Sequence, residues 1–274
     1  MATSADLRLT EKRPPPLITL TTDFGEGSSY VAAMKGVILS INPAAQIVDV
    51  SHAIGPQNVR QGAIVLADAT PLFPDGTIHV AVVDPGVGTA RKLIYAQIGT
   101  QQYLSPDNGL LSRLAAGQKP TKMRCITADQ WHRRPVAPTF HGRDILAPIA
   151  AQLSLGLDPD ELGPPLTELA TLDWPGATKV ANFIRGEVTS IDPFGNLITN
   201  ISREMLAGVP SDETVTVICD EHQTHGIYTT YGDQPPMTLI ALVGSADMLE
   251  LAIVEDSAEI MLGVEVGAPV EVKW

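Results

Sequence analysis

The first half of the chain alternates short apolar runs with longer segments of helical spacing. Apolar and β-branched runs predict strands at 17–22, 46–50 and 77–83. Apolar positions that recur with helical spacing predict helices over 30–41, 58–72 and 145–155. The third run is nearly all apolar, as in a strand that is buried on both faces. Strands that alternate with helices in this way favour a mostly parallel sheet covered on both sides.

The pattern changes from about residue 157. Proline and glycine interrupt residues 159–176 without any periodicity, which is typical of a linker. Further along, short apolar runs predict six strands, at 186–191, 197–201, 214–219, 226–231, 237–242 and 268–272. Short strands with turn residues between them favour a small antiparallel barrel or sandwich. The polar stretch 220–225 contains His222 and His225 and is interpreted as a solvated loop.

The two patterns together predict an α/β domain followed by a smaller, barrel-like, all-β domain. The polar first residues end in three prolines and predict a disordered tail over 1–16. The α/β domain, with a mostly parallel central sheet, is expected over 17–160. A linker over 161–182 and the β domain over 183–274 complete the predicted order.

The charge of the chain excludes two classes of partner. Acidic residues outnumber basic ones by 31 to 18, which gives a net charge of −13. Such a surface repels phosphate backbones and anionic lipids, so we expect no nucleic acid and no membrane as partner. The two cysteines, Cys125 and Cys219, are far apart and form no CxxC pair. Without a recognisable signal peptide either, the sequence predicts a cytoplasmic protein.

Polar residues follow three of the predicted strands. Asp23, the Ser51–His52 pair and Asp84 come directly after apolar runs. Ligands of open parallel sheets bind beyond the carboxyl ends of the strands, where these side chains would collect. Each aspartate alone is also a common turn or cap residue. Arg91 follows Asp84 across a glycine loop, so the two residues are either a pair that braces the loop or part of a site.

Two further segments are candidates for chemistry. His141 precedes a predicted helix, where the positive potential of the helix N-terminus favours a neutral imidazole that can accept a proton or orient a water; it could equally be satisfied by local backbone. Asp192, Phe194 and Asn196 lie between two predicted strands. They form either a hairpin turn or a surface for a planar base. The histidines show no metal-ligand spacing, so we expect no metal.

Five of these segments resemble a known family. The sequences TTDFG at 21–25, VDPGVG at 83–88, SPDNGL at 105–110, FHGRD at 140–144 and DPFGN at 192–196 occur in this order in S-adenosylmethionine hydroxide adenosyltransferases. The resemblance extends from about residue 17 to residue 272. It implies an α/β domain with a β-barrel domain, and cleavage of S-adenosyl-L-methionine by water to adenosine and L-methionine.

The resemblance also implies roles for individual residues. The water-handling residues of the family match Asp84, Arg91 and His141, and its ribose-binding aspartate matches Asp23. The residues that hold methionine and adenine match Asp192, Phe194, Asn196 and Ser245. Relatives often have an Asn-Ser pair and a nearby glycine where this chain has Gly-Ser-Ala-Asp at 244–247.

The family implies a small-molecule substrate, no cofactor, and a homotrimer with its sites at the subunit interfaces. The related fluorinase has an inserted loop soon after the arginine position, whereas here Arg91 continues directly into 92–95, which favours water over halide. Three alternatives stay open: halide-dependent adenosyl transfer, a non-catalytic protein that binds adenosine or S-adenosylmethionine, and hydrolysis of another 5′-substituted adenosine. The sequence leaves the preferred sulfonium isomer open.

Overall fold

A computed structural model describes residues 17–274, which divide into two compact units. The division falls between Leu172 and Asp173. The tail predicted over 1–16 lies outside the described residues. Each unit has its own sheet and its own buried core.

The first unit contains a six-stranded, mostly parallel sheet, as predicted. Its strands are β1 (Leu17–Thr22), β2 (Gln46–Ser51), β3 (Ile78–Val82), β4 (Leu93–Ile98), β5 (Gln101–Pro106) and β6 (Lys122–Cys125). Its helices are α1 (Ser29–Ile41), α2 (Val59–Ala69), α3 (Ser112–Gly117) and α4 (Ala147–Ser154). The strand order is β2-β1-β3-β5-β4-β6, and β4 alone runs in the direction opposite to the other five strands. The carboxyl ends of β1, β2, β3 and β5 therefore meet at one edge.

The core of this unit lies on both faces of the sheet. Val80 and Val82 of β3 pack into one cluster with α1 and α4, while Ala81 and Val83 belong to a second cluster with Leu66 of α2. Alternate residues of a strand point to opposite faces. The continuous apolar run of β3 is thus explained by helices on both sides.

Three strands of this sheet were missed by the sequence pattern. β4 and β5 form a hairpin through Gly99, whose φ is +59°. The hairpin returns the chain so that β5 lies beside β3, and its place in the sheet is set by long-range pairing.

The predicted helix over 58–72 ends as an α-helix at Ala69 and continues as a 3₁₀ turn over Thr70–Leu72, where Pro71 cannot donate a backbone hydrogen bond.

The second unit contains eight antiparallel strands, which confirms the predicted all-β class. They are β7 (Thr178–Val180), β8 (Phe183–Ile191), β9 (Leu197–Ser202), β10 (Thr216–Cys219), β11 (His222–His225), β12 (Leu239–Val243), β13 (Met248–Ile253) and β14 (Pro269–Lys273). A short helix, α5, spans Ala258–Leu262. The order is β11-β10-β14-β8-β9-β13-β12, with β7 on β8. The Thr224 hydroxyl donates to the Leu239 carbonyl at 2.6 Å, which links the two end strands of a nearly closed barrel.

The strand predicted over 226–231 is wrong. The strand in this region is β11, in the polar stretch interpreted as a loop. A turn with Asp220 at a φ of +53° pairs Cys219 with His222, and Gly226 at a φ of +80° ends the pairing. Backbone pairing with β10 therefore forms this strand, although its composition is polar. The strand β13 was also missed, because its apolar residues merge with those of β12 in one long run.

Candidate active site

Asp84, Arg91 and His141 form one hydrogen-bonded group in the first unit. The Arg91 guanidinium donates from Nε to both carboxylate oxygens of Asp84, at 3.1 Å to Oδ1 and 2.9 Å to Oδ2, and from Nη2 to Oδ2 at 2.6 Å. Arg91 Nη2 also lies 2.8 Å from His141 Nδ1. The side chains of Asp84 and Arg91 are only 6% and 12% exposed. A bidentate pair this well covered fixes the guanidinium in one orientation.

A close approach of two loops brings Arg91 to His141. Gly88 has a φ of +78°, and a Cβ at this position would lie 2.7 Å from the Pro138 carbonyl oxygen. Glycine therefore permits both the left-handed backbone and the contact with the segment that leads to His141. This explains why a Gly-Val-Gly loop lies between Asp84 and Arg91 in a chain that shows no dinucleotide fingerprint.

Asp144 holds the backbone around His141. Its fully buried carboxylate accepts hydrogen bonds from Arg133 at 3.1 Å, from Arg143 at 2.7 and 2.8 Å, and from the Ala137 backbone N–H at 2.9 Å. Burial alone would raise the pKa of Asp144, but the hydrogen bonds from Arg143, Ala137 and Arg133 and the charge of Arg143 hold it below its ordinary value. One π-helical turn over Gly142–Leu146 begins directly after His141 and continues into α4. Such turns often occur at functional sites.

The same edge of the sheet positions Asp23. Its Oδ2 accepts a hydrogen bond from the Gln57 backbone N–H at 2.8 Å. Asp23, Asp84 and His141 line one cavity of about 260 Å³, beside the rings of Phe24 and Phe140. These two rings pack edge to face at 5.7 Å. The structure thus brings together Asp23, Asp84, Arg91 and His141, which are four of the residues that the sequence singled out in this unit.

Two other polar residues at this edge have structural partners. His52 Nδ1 lies 2.8 Å from the Thr22 hydroxyl, and its Nε2 lies 3.0 Å from Asp49. These contacts connect the ends of β1 and β2, and His52 does not line the cavity. Asn108, which no pattern marked by itself, donates to the Val83 carbonyl at 2.8 Å. It therefore holds the end of β3 immediately before Asp84.

The electrostatic surroundings of His141 favour a neutral ring. Burial lowers the pKa of His141, and the charge of Arg91 lowers it further, against the opposing effect of Asp84 and Asp144. A guanidinium has only donors, so His141 Nδ1 must accept the hydrogen bond of Arg91. The neutral ring then carries its proton on Nε2 and can donate it to an oxygen.

The second unit holds the other predicted residues in a separate cavity. Asp192 Oδ1 accepts the backbone N–H groups of Phe194 at 2.9 Å and Asn196 at 2.8 Å, and Asp192 Oδ2 accepts the Asn196 side chain at 2.8 Å. Asp192, Phe194, Asn196 and Ser245 line a cavity of about 670 Å³. The segment is thus a tight turn, as its composition suggested, and at the same time one wall of a cavity.

Two residues of this cavity were missed by the sequence analysis. Glu250 of β13 is 6% exposed, and its Oε2 accepts the hydroxyl of Tyr231 at 2.9 Å. Both residues line the cavity. Burial raises the pKa of Glu250, the Tyr231 hydrogen bond opposes this, and the charge of Asp192 adds to it. Burial and the bond to Glu250 raise the pKa of Tyr231 to about 12. In the sequence, the one indication of these two cavity residues was a glutamate inside an otherwise apolar strand run.

Between residues 17 and 274, no three His, Cys, Asp or Glu side chains are grouped closely enough to hold a metal ion. In the same part of the chain, no helix has the length and apolar character needed to span a bilayer.

A parallel-sheet unit with an Asp–Arg–His group at its carboxyl edge, followed by a β-barrel unit with an Asp-x-Phe-Gly-Asn turn, defines a two-domain class of protein. The chain belongs to the SAM hydroxide adenosyltransferase family: the model of the family's N-terminal domain matches residues 18–163, and that of its C-terminal domain matches 186–271. The resemblance drawn from the five motifs is confirmed.

Individual relatives agree with this assignment. An (R)-S-adenosyl-L-methionine hydrolase of Salinispora tropica is 38% identical over 93% of this chain and 96% of its own length. A fluorinase of Actinoplanes is more distant, at 30% identity over 75% of this chain and 78% of its own. The crystal structure of an uncharacterized conserved protein from Thermotoga maritima has a TM-score of 0.89 at 34% identity. It covers 94% of this chain and is itself covered completely.

Proposed function

We propose that this chain hydrolyses S-adenosyl-L-methionine by attack of water on the 5′ carbon of the ribose, giving adenosine and L-methionine. The observation that carries the proposal is the hydrogen-bonded group of Asp84, Arg91 and His141 beside Asp23 in one cavity. The relatives named (R)-S-adenosyl-L-methionine hydrolase support the substrate and the reaction.

The proposed chemistry rests on placing the water. A new bond forms between the water oxygen and the 5′ carbon while the bond from this carbon to sulfur breaks. The electron pair of the broken bond goes to sulfur, which leaves as the neutral thioether of methionine. Because the sulfonium is already a good leaving group, the site needs no acid to expel it. Alignment of an oxygen opposite sulfur can contribute about 7–11 kcal/mol.

Each member of the group has a proposed task. His141 donates from Nε2 to the water oxygen, and the positive charge of Arg91 favours the developing hydroxide character. Asp84 fixes Arg91 and takes the proton that the water loses. General-base assistance of this kind is typically worth about 10²–10⁴ in rate. Asp23 is placed to accept hydrogen bonds from the ribose hydroxyls.

The second-unit cavity is proposed to hold the rest of the substrate. Phe194 offers a ring for the adenine, and the polar groups of Asn196 and Ser245 offer hydrogen bonds. Asp192 keeps this turn in shape through its three accepted hydrogen bonds. As in the family pattern, the complete site would combine the first unit of one subunit with the second unit of its neighbour in a homotrimer.

Three finer points belong to the same proposal. The names of the relatives favour the (R) sulfonium isomer as the substrate. The reaction as written requires no cofactor, since water is the only co-reactant. A cytoplasmic location also stays a prediction, as does the trimer, which light scattering of the purified protein would test: a monomer would contradict the shared site.

The decisive experiment supplies each sulfonium isomer separately in ¹⁸O-water, with and without chloride, and separates the products by chromatography and mass spectrometry. We expect adenosine with the label at its 5′ oxygen, formed from the (R) isomer. A 5′-chloro product would favour the halide-dependent alternative. Substrate binding by calorimetry without any adenosine would favour a non-catalytic binding protein. A parallel assay supplies another 5′-substituted adenosine. Faster cleavage of that compound would favour the third alternative, in which only the leaving group differs.

A further inference from the structure

The loop that carries Asp84 and Arg91 is attached at both of its ends to one turn. This loop, residues 83–92, connects β3 to β4 and contains both members of the bidentate pair. The turn, residues 107–109, follows β5 directly. None of its three residues, all within the described part of the chain, lines the cavity of about 260 Å³. Any part that this turn has in the reaction must therefore act through the loop.

Asn108 holds the first end of the loop. Its side-chain amide donates from Nδ2 to the carbonyl of the fully buried Val83 at 2.8 Å, immediately before Asp84. Backbone pairing between β3 and β5 ends at Val80 and Leu104, so the sheet itself no longer joins the two strands at this point. The side chain of Asn108 thus connects the two strand ends beyond the end of the pairing.

The residue before Asn108 holds the other end of the loop. The Asp107 backbone N–H donates to the Lys92 carbonyl at 2.9 Å, immediately after Arg91. This bond continues the antiparallel pairing of β4 with β5. Because Asp107 and Asn108 are consecutive, one short turn sets the positions of both ends of the loop.

The turn itself is fixed from its other side. Asp107 Oδ1 accepts a hydrogen bond from the Ala170 backbone N–H at 2.8 Å. Gly109 has a φ of +99°, and a Cβ at this position would lie 2.6 Å from Leu172 Cγ. These contacts with residues 170–172 do not involve the loop. The turn can therefore act as a fixed support for the loop.

We propose that Asn108 is a positioning residue, which holds Arg91 at the place where it contacts His141. The inference rests on the proposed function and adds to it a residue that lies outside the cavity. The pair of Asp84 and Arg91 forms within one loop. The contact between Arg91 and His141 joins two loops, so it depends on where the first loop is held. A misplacement of about 1 Å in an active site can cost about 10²-fold in rate.

Two substitutions remove the donor of Asn108. Asn108→Ala deletes the amide, whereas Asn108→Asp keeps its shape and replaces the donor with an acceptor. In both variants the Val83 carbonyl loses its hydrogen bond and the loop is free to shift. We expect kcat to fall about 10-fold or more with KM within about 3-fold, as for a loss of positioning. Agreement between the uncharged and the charged replacement assigns the effect to the lost donor.

Asn200 provides a matched control in the second unit. Its Nδ2 donates to the Pro175 carbonyl at 2.9 Å, and its Oδ1 accepts the Glu187 backbone N–H at 2.8 Å. Asn108 has the same pattern, since its Oδ1 accepts the Leu110 backbone N–H at 3.4 Å. Both asparagines are half-buried, and Asn200 lines neither cavity of the site. Asn200→Ala and Asn200→Asp should lower the urea midpoint about as much as the Asn108 variants do, while kcat stays unchanged. The same urea curves establish that each variant is folded.

The ring of His141 reports the position of Arg91 without any turnover. In the wild-type protein Nδ1 accepts from Arg91, so the neutral ring carries its proton on Nε2 and its two nitrogens have distinct ¹⁵N chemical shifts. The resonances of this ring are those that are absent from the spectrum of His141→Gln. In Asn108→Ala, recorded above neutral pH, we expect the ring to exchange between its two neutral tautomers. In Asn200→Ala it should keep the wild-type tautomer.

The outcomes separate the positioning role from the proposed function. A fall in kcat together with a mixed tautomer in both Asn108 variants supports the role. An unchanged tautomer, or an equal loss of kcat in the Asn108 and Asn200 variants, overturns it even if the wild-type protein makes adenosine. If the wild-type protein makes no adenosine, the proposed function fails. The tautomer of His141 then decides the inference alone: a mixed tautomer in the Asn108 variants supports it, and the wild-type tautomer overturns it.

Discussion

Arg91 Nη2 lies 2.8 Å from His141 Nδ1, and this contact determines which ring nitrogen carries the proton. The guanidinium only donates, so Nδ1 accepts and the neutral ring is protonated at Nε2. The histidine therefore presents a donor to the cavity, and its role in the proposed reaction is to hold the oxygen of the nucleophile. Proton removal is left to Asp84.

The activity should persist well into the acidic range. The pKa of His141 is lowered by burial and by Arg91, so the neutral ring survives below the ordinary value of 6.5. Once the ring is protonated, Nδ1 can no longer accept from Arg91 and the rate falls. We expect the acidic limb of the kcat profile to lie below pH 6.5. A limb at or above this value would contradict the neutral-histidine arrangement.

Arg91→Lys should impair turnover far more than binding. A lysine ammonium cannot contact both Asp84 and His141 with the geometry of the planar guanidinium. We expect kcat to fall by about 10²-fold or more, in line with the loss of precise positioning, while KM changes little. Arg124→Lys is the matched control, because its guanidinium also contacts one carboxylate, that of Asp160, away from the cavity. Equal effects of the two substitutions would contradict the assigned role.

Gly88→Ala should separate the two loops of the site. The new Cβ would meet the Pro138 carbonyl oxygen at 2.7 Å, and it would have to adopt a φ of +78°. Gly76→Ala imposes a similar φ of +80° with no atom within 4 Å, so it reports the backbone strain of about 1–2 kcal/mol alone. We expect both variants to lose stability in urea unfolding, and only Gly88→Ala to lose about 10-fold or more in kcat. Loss of activity in both would point to strain alone.

Phe194→Ala should weaken substrate binding without affecting stability. The side chain is 79% exposed, so its removal should change the free energy of unfolding by no more than about 0.5 kcal/mol. Stacking of an aromatic ring on a base is worth about 1–3 kcal/mol, which corresponds to a KM increase of about 5- to 160-fold. Leu72→Ala, at another exposed apolar residue, should change neither quantity. An unchanged KM in Phe194→Ala would remove this residue from the site.

Acid should destabilise the first unit through His79. This fully buried ring bonds to the Thr19 hydroxyl at 2.7 Å, and burial lowers its pKa to about 4 against the opposing hydrogen bond of Gln101. The unfolded chain binds a proton below pH 6.5 while the folded one does not, so stability falls as the pH drops from 6.5 towards 4. The expected loss between pH 7 and pH 5 is about 2 kcal/mol.

His79→Gln checks this assignment. Urea unfolding at pH 7 and pH 5 should show a smaller loss in the variant than in the wild-type protein. His141 also has a lowered pKa but is present in both proteins, so its contribution cancels in the comparison. Equal pH dependence of the two proteins would show that the pKa of His79 is the same in the folded and the unfolded state.

Sequence patterns predicted best those elements whose hydrophobic pattern is set by burial. The strand at Ile78–Val82 is covered on both faces, so its residues had to be apolar and the run was visible. β5 was missed, and its place beside β3 depends on pairing between residues that are distant in the sequence, such as Ile78 and Gln102. In the second unit, β11 has a polar sequence and exists because its backbone pairs with β10.

The same distinction applies to the site. Asp84 and Arg91 were recognisable as a pair because only seven residues separate them. His141 and the turn at 192–196 were candidates from their places beside predicted elements, and the family resemblance gave them roles. Glu250 gave almost no signal, since one acid in an apolar run has no partner nearby in the sequence. The surroundings of Glu250 become visible only in the folded chain, where Tyr231 and Gly244 lie beside it.

By itself, the sequence determined the two-domain class, the mostly parallel first sheet and the family, because burial periodicity and short motifs are local properties of the chain. Only the tertiary structure decided that Arg91 bonds to His141 as well as to Asp84, and that Glu250 occupies the space beside Gly244. Hydrogen bonds and steric fit are contacts of a few ångströms between residues that can be 50 positions apart, as Arg91 and His141 are. No local pattern encodes such contacts; the packing of the loops creates them.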